Sequence, residues 1–166
     1  MVISAETRAA IDAQIQKYPQ RRGALLPALH LVQKEKGWIA PETARELAAI
    51  FEIQPIEVLE VVTFYNMFYD RPQGRHHVYV CTNLPCALRD GDKALEHVCR
   101  RLGVEPYGTT ADGRFTVQPS ECLGACADAP VMLVNDREML SFMSRERLDE
   151  LLETLRGADA AGGGMQ

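Results

Sequence analysis

The stretch that decides the fold is Glu121–Pro130, "ECLGACADAP", in which Cys122 and Cys126 enclose three residues. A second pair lies upstream in "VCTNLPCA", Val80–Ala87, where Cys81 and Cys86 enclose four. Each pair falls where regular backbone gives way to a loop. Cys81 ends "HHVYVCT", an alternating run rich in strand formers, and Cys86 is expected in the loop before the helix of "GDKALEHVCRRLG". Cys122 and Cys126 lie between two short strand patterns, "RFTVQP" and "VMLVN", in a Gly/Ala-rich loop.

Four thiolates delivered by two loops suit zinc or an iron–sulfur cluster. Gap lengths favour the second. Two-residue gaps wrap both sulfurs around one zinc ion, whereas gaps of four and three residues span more space and suit a two-iron cluster. Gly124 and Ala125 leave room for backbone N–H groups to approach bridging sulfides, and such hydrogen bonds tune the potential. A thioredoxin-type dithiol has a two-residue gap, which neither pair has. A Rieske-type centre needs two histidine ligands, and no histidine lies within a cysteine pair. The fifth cysteine, Cys99, shares a helical face with Leu95, Val98 and Leu102 and belongs with the core.

Outside the cysteines, the 166 residues are 46% apolar and 25% charged, enough to bury a core in one or two domains. A net charge of −5 argues against a nucleic-acid face. No apolar run approaches the ~20 residues of a membrane span. The start has neither the basic and apolar regions of a secretory signal nor the acid-poor composition of a transit peptide, so the expected location is the cytoplasm. In that compartment cysteines point to metal or redox chemistry and not to a disulfide framework.

The first part of the chain has helical periodicity throughout. Ser4 is placed to cap a helix with Ile11, Ile15 and Tyr18 on one face. Leu25, Leu29 and Val32 mark a second helix, with Pro27 in its first turn and Gly37 at its end. Pro41 opens a third, facing Leu47, Ile50 and Phe51 inward, and Val58, Val62 and Tyr65 mark a fourth. After "DRPQG" the pattern becomes strand, helix, strands, helix, with "EMLSF" a further strand and Ser144 capping "SRERLDELLETLR". The charges of that last helix read as a solvated face. Trp38 is expected as a packing anchor between helices, and half of the aromatics in "TFYNMFY" as core. On a strand, His76 and His77 point to opposite faces, so at most one is expected to be buried. Pro130 is expected to begin the strand after the second pair. No Gly-rich phosphate loop and no nucleophile–base pair is present.

The Cys81-x4-Cys86 and Cys122-x3-Cys126 pattern resembles the thioredoxin-like [2Fe–2S] ferredoxin family. The flanking text "KGWIAPE", "VVTFYNMF", "GRHHVYVCTNLPC" and "DGRFTVQPSECLGACADAPVMLVND" is similar to the E-type small iron–sulfur subunits of the NADH dehydrogenase module of respiratory complex I. The resemblance implies an α+β (mixed α/β) chain: a helical bundle over residues 1–73 and a thioredoxin-like [2Fe–2S] ferredoxin domain over 74–156. The final 157–166, "GADAAGGGMQ", has too little apolar surface to order itself and is expected as a disordered tail. The resemblance also implies a [2Fe–2S] cluster held by Cys81, Cys86, Cys122 and Cys126. It further implies electron exchange with a partner flavoprotein subunit that carries FMN, NADH and a [4Fe–4S] cluster, in the cytoplasmic peripheral arm of NADH:quinone oxidoreductase. The same type of subunit occurs in the diaphorase parts of NAD-linked hydrogenases and formate dehydrogenases. A zinc-stabilised interaction module is the remaining alternative.

Overall fold

The computed structural model describes residues 2–160, and side chains through Gly157. The chain forms two compact units that divide between Pro72 and Gln73.

The first unit is helical: α1 (Ala5–Ile15), α2 (Leu25–Lys36), α3 (Pro41–Phe51) and α4 (Pro55–Phe64). Ser4 caps α1, its hydroxyl accepting from the Thr7 N–H at 3.1 Å. Ser4 is itself tied to the end of α2, since its hydroxyl donates to the Glu35 carboxylate at 3.0 Å. Pro27 lies in the first turn of α2, and Gly37 ends that helix with φ of 82°. Pro41 opens α3. Their inward faces close into one core, in which Ile11, Leu29, Val32, Leu47 and Val58 are fully buried. Burying each such side chain contributes about 1.5–3 kcal/mol. Gln33 clamps the segment after α4 to α2: its side-chain amide donates to the Met67 carbonyl and accepts the Tyr69 N–H, both at 2.8 Å.

Three expectations change here. Tyr18 is 40% exposed and lies beyond α1, because the chain tightens into i→i+3 bonds at Lys17 and Tyr18 and rotates the ring off the helical face. Trp38 is half-buried, and its neighbour Ile39 takes the deep position. Tyr65 ends α4 in extended backbone. Of the aromatics around it, Phe68 is buried whereas Phe64 is 78% exposed.

The second unit builds a four-stranded sheet from β1 (His76–Cys81), β2 (Phe115–Ser120), β3 (Met132–Val134) and β4 (Glu138–Leu140), in the order β2-β1-β3-β4. β1 and β2 run parallel, joined through the one-turn helix α5 (Leu84–Ala87) and α6 (Gly91–Leu102). The other pairings are antiparallel. α6 and α7 (Arg145–Ala160) share a core with Val78, Val80, Phe115, Val117 and Met132. Ser144 caps α7, its hydroxyl accepting from the Arg147 N–H at 3.4 Å. The charges of α7 are not all solvated: Asp149 pairs with His97 at 3.0 Å and with Arg101 at 2.8 Å on α6.

His76 and His77 are both buried, which corrects the expectation of one. β1 is an interior strand buried along its whole length, so neither face is left to water. His76 packs against the Phe115 ring and His77 stacks on Tyr79, with centroids 5.3 and 4.3 Å apart. Burial pushes the His77 imidazole below its ordinary pKa, opposed by Asp136 and by a hydrogen bond with Gln118. At the other end of the unit, α7 runs on through Ala160, so the expected tail at 157–166 begins as helix; residues 161–166 lie outside the described residues.

The Glu35 carboxyl is held down to about 2, first by the Lys36 ammonium and then by hydrogen bonds from Thr7 and Ser4. A depressed folded-state pKa contributes stability that is present above the unfolded value and lost as pH falls toward the folded one. Between about pH 4.5 and 2, wild-type stability should therefore fall more steeply than that of Glu35→Gln. Urea midpoints across that range measure it, and identical slopes would rule out a Glu35 contribution.

Candidate metal centre

Parallel register positions the site. Cys81, the last residue of β1, lies opposite Ser120, the last of β2, so both strands leave the sheet at the same edge. Cys122 follows two residues later. The Cys81 N–H donates to the Val131 carbonyl at 3.1 Å and the Thr82 N–H to the Ser120 carbonyl at 3.0 Å, which fixes the start of both loops. Cys86 lies within α5 and not in a loop, because Asn83 caps that single turn and Pro85 fits its start. Cys126 opens a 3₁₀ turn, Cys126–Asp128. The Ala129–Pro130 peptide is cis, and β3 begins only at Met132.

The four sulfurs share a local environment. Cys81 and Cys86 are buried with Ala129 and Val131, flanked by Leu123 and Ala125, whereas Cys122 and Cys126 are exposed. The Cys122 and Cys126 sulfurs are 3.9 Å apart. Two sulfurs ~2.3 Å from one tetrahedral metal stand about 3.8 Å apart, so this pair is spaced to share a metal. Burial pushes the Cys86 thiol up, and Cys81 and Cys126 push it further, against a hydrogen bond with the Val131 backbone. Cys126 is raised first by its hydrogen bond with Cys122 and by that group's charge, with Cys81 adding to it. Each pair thus feels the other. Among the described residues, no three His, Cys, Asp or Glu side chains close on one point as ligands of a single ion would; the sulfurs stand as two neighbouring pairs. Cys99 lies apart, in the core of α6, its thiol raised by burial and then by Glu105.

A family model for the thioredoxin-like [2Fe–2S] ferredoxins matches residues 11–156. The chain belongs to that family. Among the curated relatives of this ferredoxin, an E-type subunit of NADH-quinone oxidoreductase from Rhizobium meliloti is 41% identical over 92% of the chain and 90% of its own length. NADH-quinone oxidoreductase subunit 2 of Thermus thermophilus is 40% identical over 88% of the chain and 82% of its own length. Among solved structures, an NAD+-reducing [NiFe]-hydrogenase in the H2-reduced state is similar, with a TM-score of 0.69 and 26% identity. That match covers 80% of this chain but only 22% of the hydrogenase chain. The cofactor of the ferredoxin is a [2Fe–2S] cluster, and the donor set fits it: thiols only, in two pairs, one spaced to share a metal.

Sequence reasoning missed Gly91. A Cβ there would stand 2.7 Å from the Cys81 carbonyl oxygen and 2.9 Å from the Cys86 carbonyl carbon and oxygen, closer than real Cβ contacts come. The first residue of α6 is therefore what lets the helix lie against both upstream cysteines. Its only local signal is a glycine at a helix start. Gly124 differs: its φ is +81°, its Cβ position is open, and its N–H donates to the Cys122 sulfur at 3.4 Å. Gly124→Ala should cost about 1–2 kcal/mol from the left-handed backbone yet retain the cluster, whereas Gly91→Ala should lose most of the visible absorbance. Spectra of the two purified variants, normalised to protein, test the contrast; equal retention would show that the backbone at Gly91 yields freely.

Proposed function

We propose that this chain is the small electron-transfer subunit of an NADH:quinone oxidoreductase, with Cys81, Cys86, Cys122 and Cys126 ligating its [2Fe–2S] cluster. The observation that carries the ligand set is the neighbouring of two thiol pairs at one sheet edge, one pair 3.9 Å apart. Relatives of matching length at about 40% identity support the context. On this reading residues 1–73 form the helical domain and 74–156 the ferredoxin domain. The partner is the flavoprotein subunit that binds FMN, NADH and a [4Fe–4S] cluster, and the assembly works at the cytoplasmic side of a membrane as a peripheral arm. Among the described residues no helix is long and apolar enough to cross a membrane.

The bound cluster supplies one-electron chemistry. The residues of the chain govern its surroundings. Cys81 and Cys86, walled by Ala129 and Val131, exclude water on one side. Cys122 and Cys126 leave the other side open to a partner. The Gly124 N–H withdraws charge from the Cys122 sulfur, and such donors raise a potential that thiolate ligation keeps low.

Cys86→Ala should lose or badly weaken the cluster, while Cys99→Ala should keep it at a packing cost on the order of 1 kcal/mol. Cluster loss in the Cys99 variant alone would overturn the ligand set. The electron-transfer role is tested by anaerobic mixing with NADH. With the flavoprotein subunit present, NADH should reduce the cluster and produce an EPR signal; the purified, flavin-free chain should neither be reduced nor pass electrons to ferricyanide. Reduction of the isolated chain by NADH would contradict the division of labour.

A further inference from the structure

The two exposed cysteines lack the apolar shell that encloses Cys81 and Cys86, so their positions depend on hydrogen bonds. For Cys126 those bonds lead to α7. The Asp128 N–H donates to the Ala125 carbonyl at 3.0 Å, closing the turn that contains Cys126. The segment ahead of α7 then grips Asp128 twice. The Phe142 N–H donates to its carbonyl at 2.8 Å, and the Ser141 hydroxyl donates to its carboxylate at 3.2 Å. The Met143 N–H donates to the Pro130 carbonyl at 3.0 Å, which extends the strap to the end of the cysteine loop.

A side chain of α7 holds that strap in place. The Arg147 guanidinium donates to the Ser141 and Phe142 carbonyls at 2.7 and 3.3 Å. Two features single it out. Arg147 lies in the first turn of α7, where the helix dipole disfavours a cation, so helix stability does not account for it. Phe142 has φ of 54°, a left-handed backbone that a bulky residue keeps only where its surroundings over-determine it. Its N–H and its carbonyl are both engaged, the second by Arg147. The base is firm, since Leu148 and Leu152 anchor α7 in the core.

We propose that Arg147 is a positioning residue of the cluster site: through Ser141, Phe142 and Asp128 it fixes the turn that presents the Cys126 sulfur, and with it the 3.9 Å spacing to Cys122. The inference rests on the proposed ligand set and adds what holds its exposed half. A ligand on a loose turn yields its iron more readily and alters the symmetry of the iron it binds. Cluster persistence and the EPR signature of the reduced cluster therefore both report on the strap.

The test compares full-length holoproteins purified anaerobically. Arg147→Met keeps an unbranched apolar stem and removes the donors; it should release iron to a chelator about tenfold faster than wild type and shift the g-values of the reduced cluster. Arg147→Lys, which can still donate to one carbonyl, should fall between the two. Arg101→Met is the control. It removes the 2.8 Å pairing of α6 with Asp149 of α7, so it should lower the Tm yet leave iron release and g-values at wild type. Wild-type behaviour of Arg147→Met, or equal changes in Arg147→Met and Arg101→Met, would overturn the proposal. If Arg147→Met holds no cluster, Ser141→Ala decides: with a native far-UV spectrum it should show shifted g-values, and an unchanged EPR signal would reject the strap. Cys126→Ala tests the reading beneath. A wild-type cluster in that variant would remove Cys126 from the ligand set, and the inference with it.

Discussion

The parallel pairing of β1 with β2 is the constraint on which the rest of the site depends. Strands that run side by side in one direction end at one edge, and Cys81 opposite Ser120 places both cysteine loops there. Parallel strands also need a crossover, and here the crossover carries part of the proposed site. It supplies α5, which carries Cys86, and α6, whose first residue lies against the carbonyls of Cys81 and Cys86. The antiparallel return of β3 brings Val131, whose carbonyl accepts the Cys81 N–H. A one-residue slip of β2 against β1 would turn the downstream loop away from the upstream one.

Burial then divides the cysteines by role. The upstream pair is enclosed in its own small apolar cluster, separate from the core that α6, α7 and the sheet share. The downstream pair is exposed. Enclosure raises the thiol of Cys86, and close sulfurs raise that of Cys126, so a metal held by the proposed ligands would displace protons from groups that hold them more tightly than a free cysteine does. The same arrangement gives the site a dry side and an open side, which is what a group that must stay intact yet exchange electrons with another protein requires.

What could be read from the chain follows from how local each signal is. Ser4, Pro41 and Gly37 mark helix ends through their own backbone chemistry, and the structure places each at an end. The cysteine pairs stood out because four thiols on two loops rarely come together except to hold metal, and the ends of β1 and β2 bring the two loops to one end of the sheet, which supports the proposed ligand set. The burial of both His76 and His77 was not legible, since alternation tells which face a side chain takes but not that both faces are covered. Tyr18 left its face through a tightened last turn that periodicity does not register. Gly91 was invisible for a deeper reason: its neighbours Cys81 and Cys86 are distant enough in sequence that only the folded crossover brings their backbone against it.

Two loops at one sheet edge holding a two-iron cluster through four sulfurs is the central claim. Iron, acid-labile sulfide and zinc, determined per chain on anaerobically purified protein, test it most directly. A two-iron cluster predicts iron and sulfide in equal amounts, about two of each, with an EPR signal only after reduction. Stoichiometric zinc with no sulfide would contradict it.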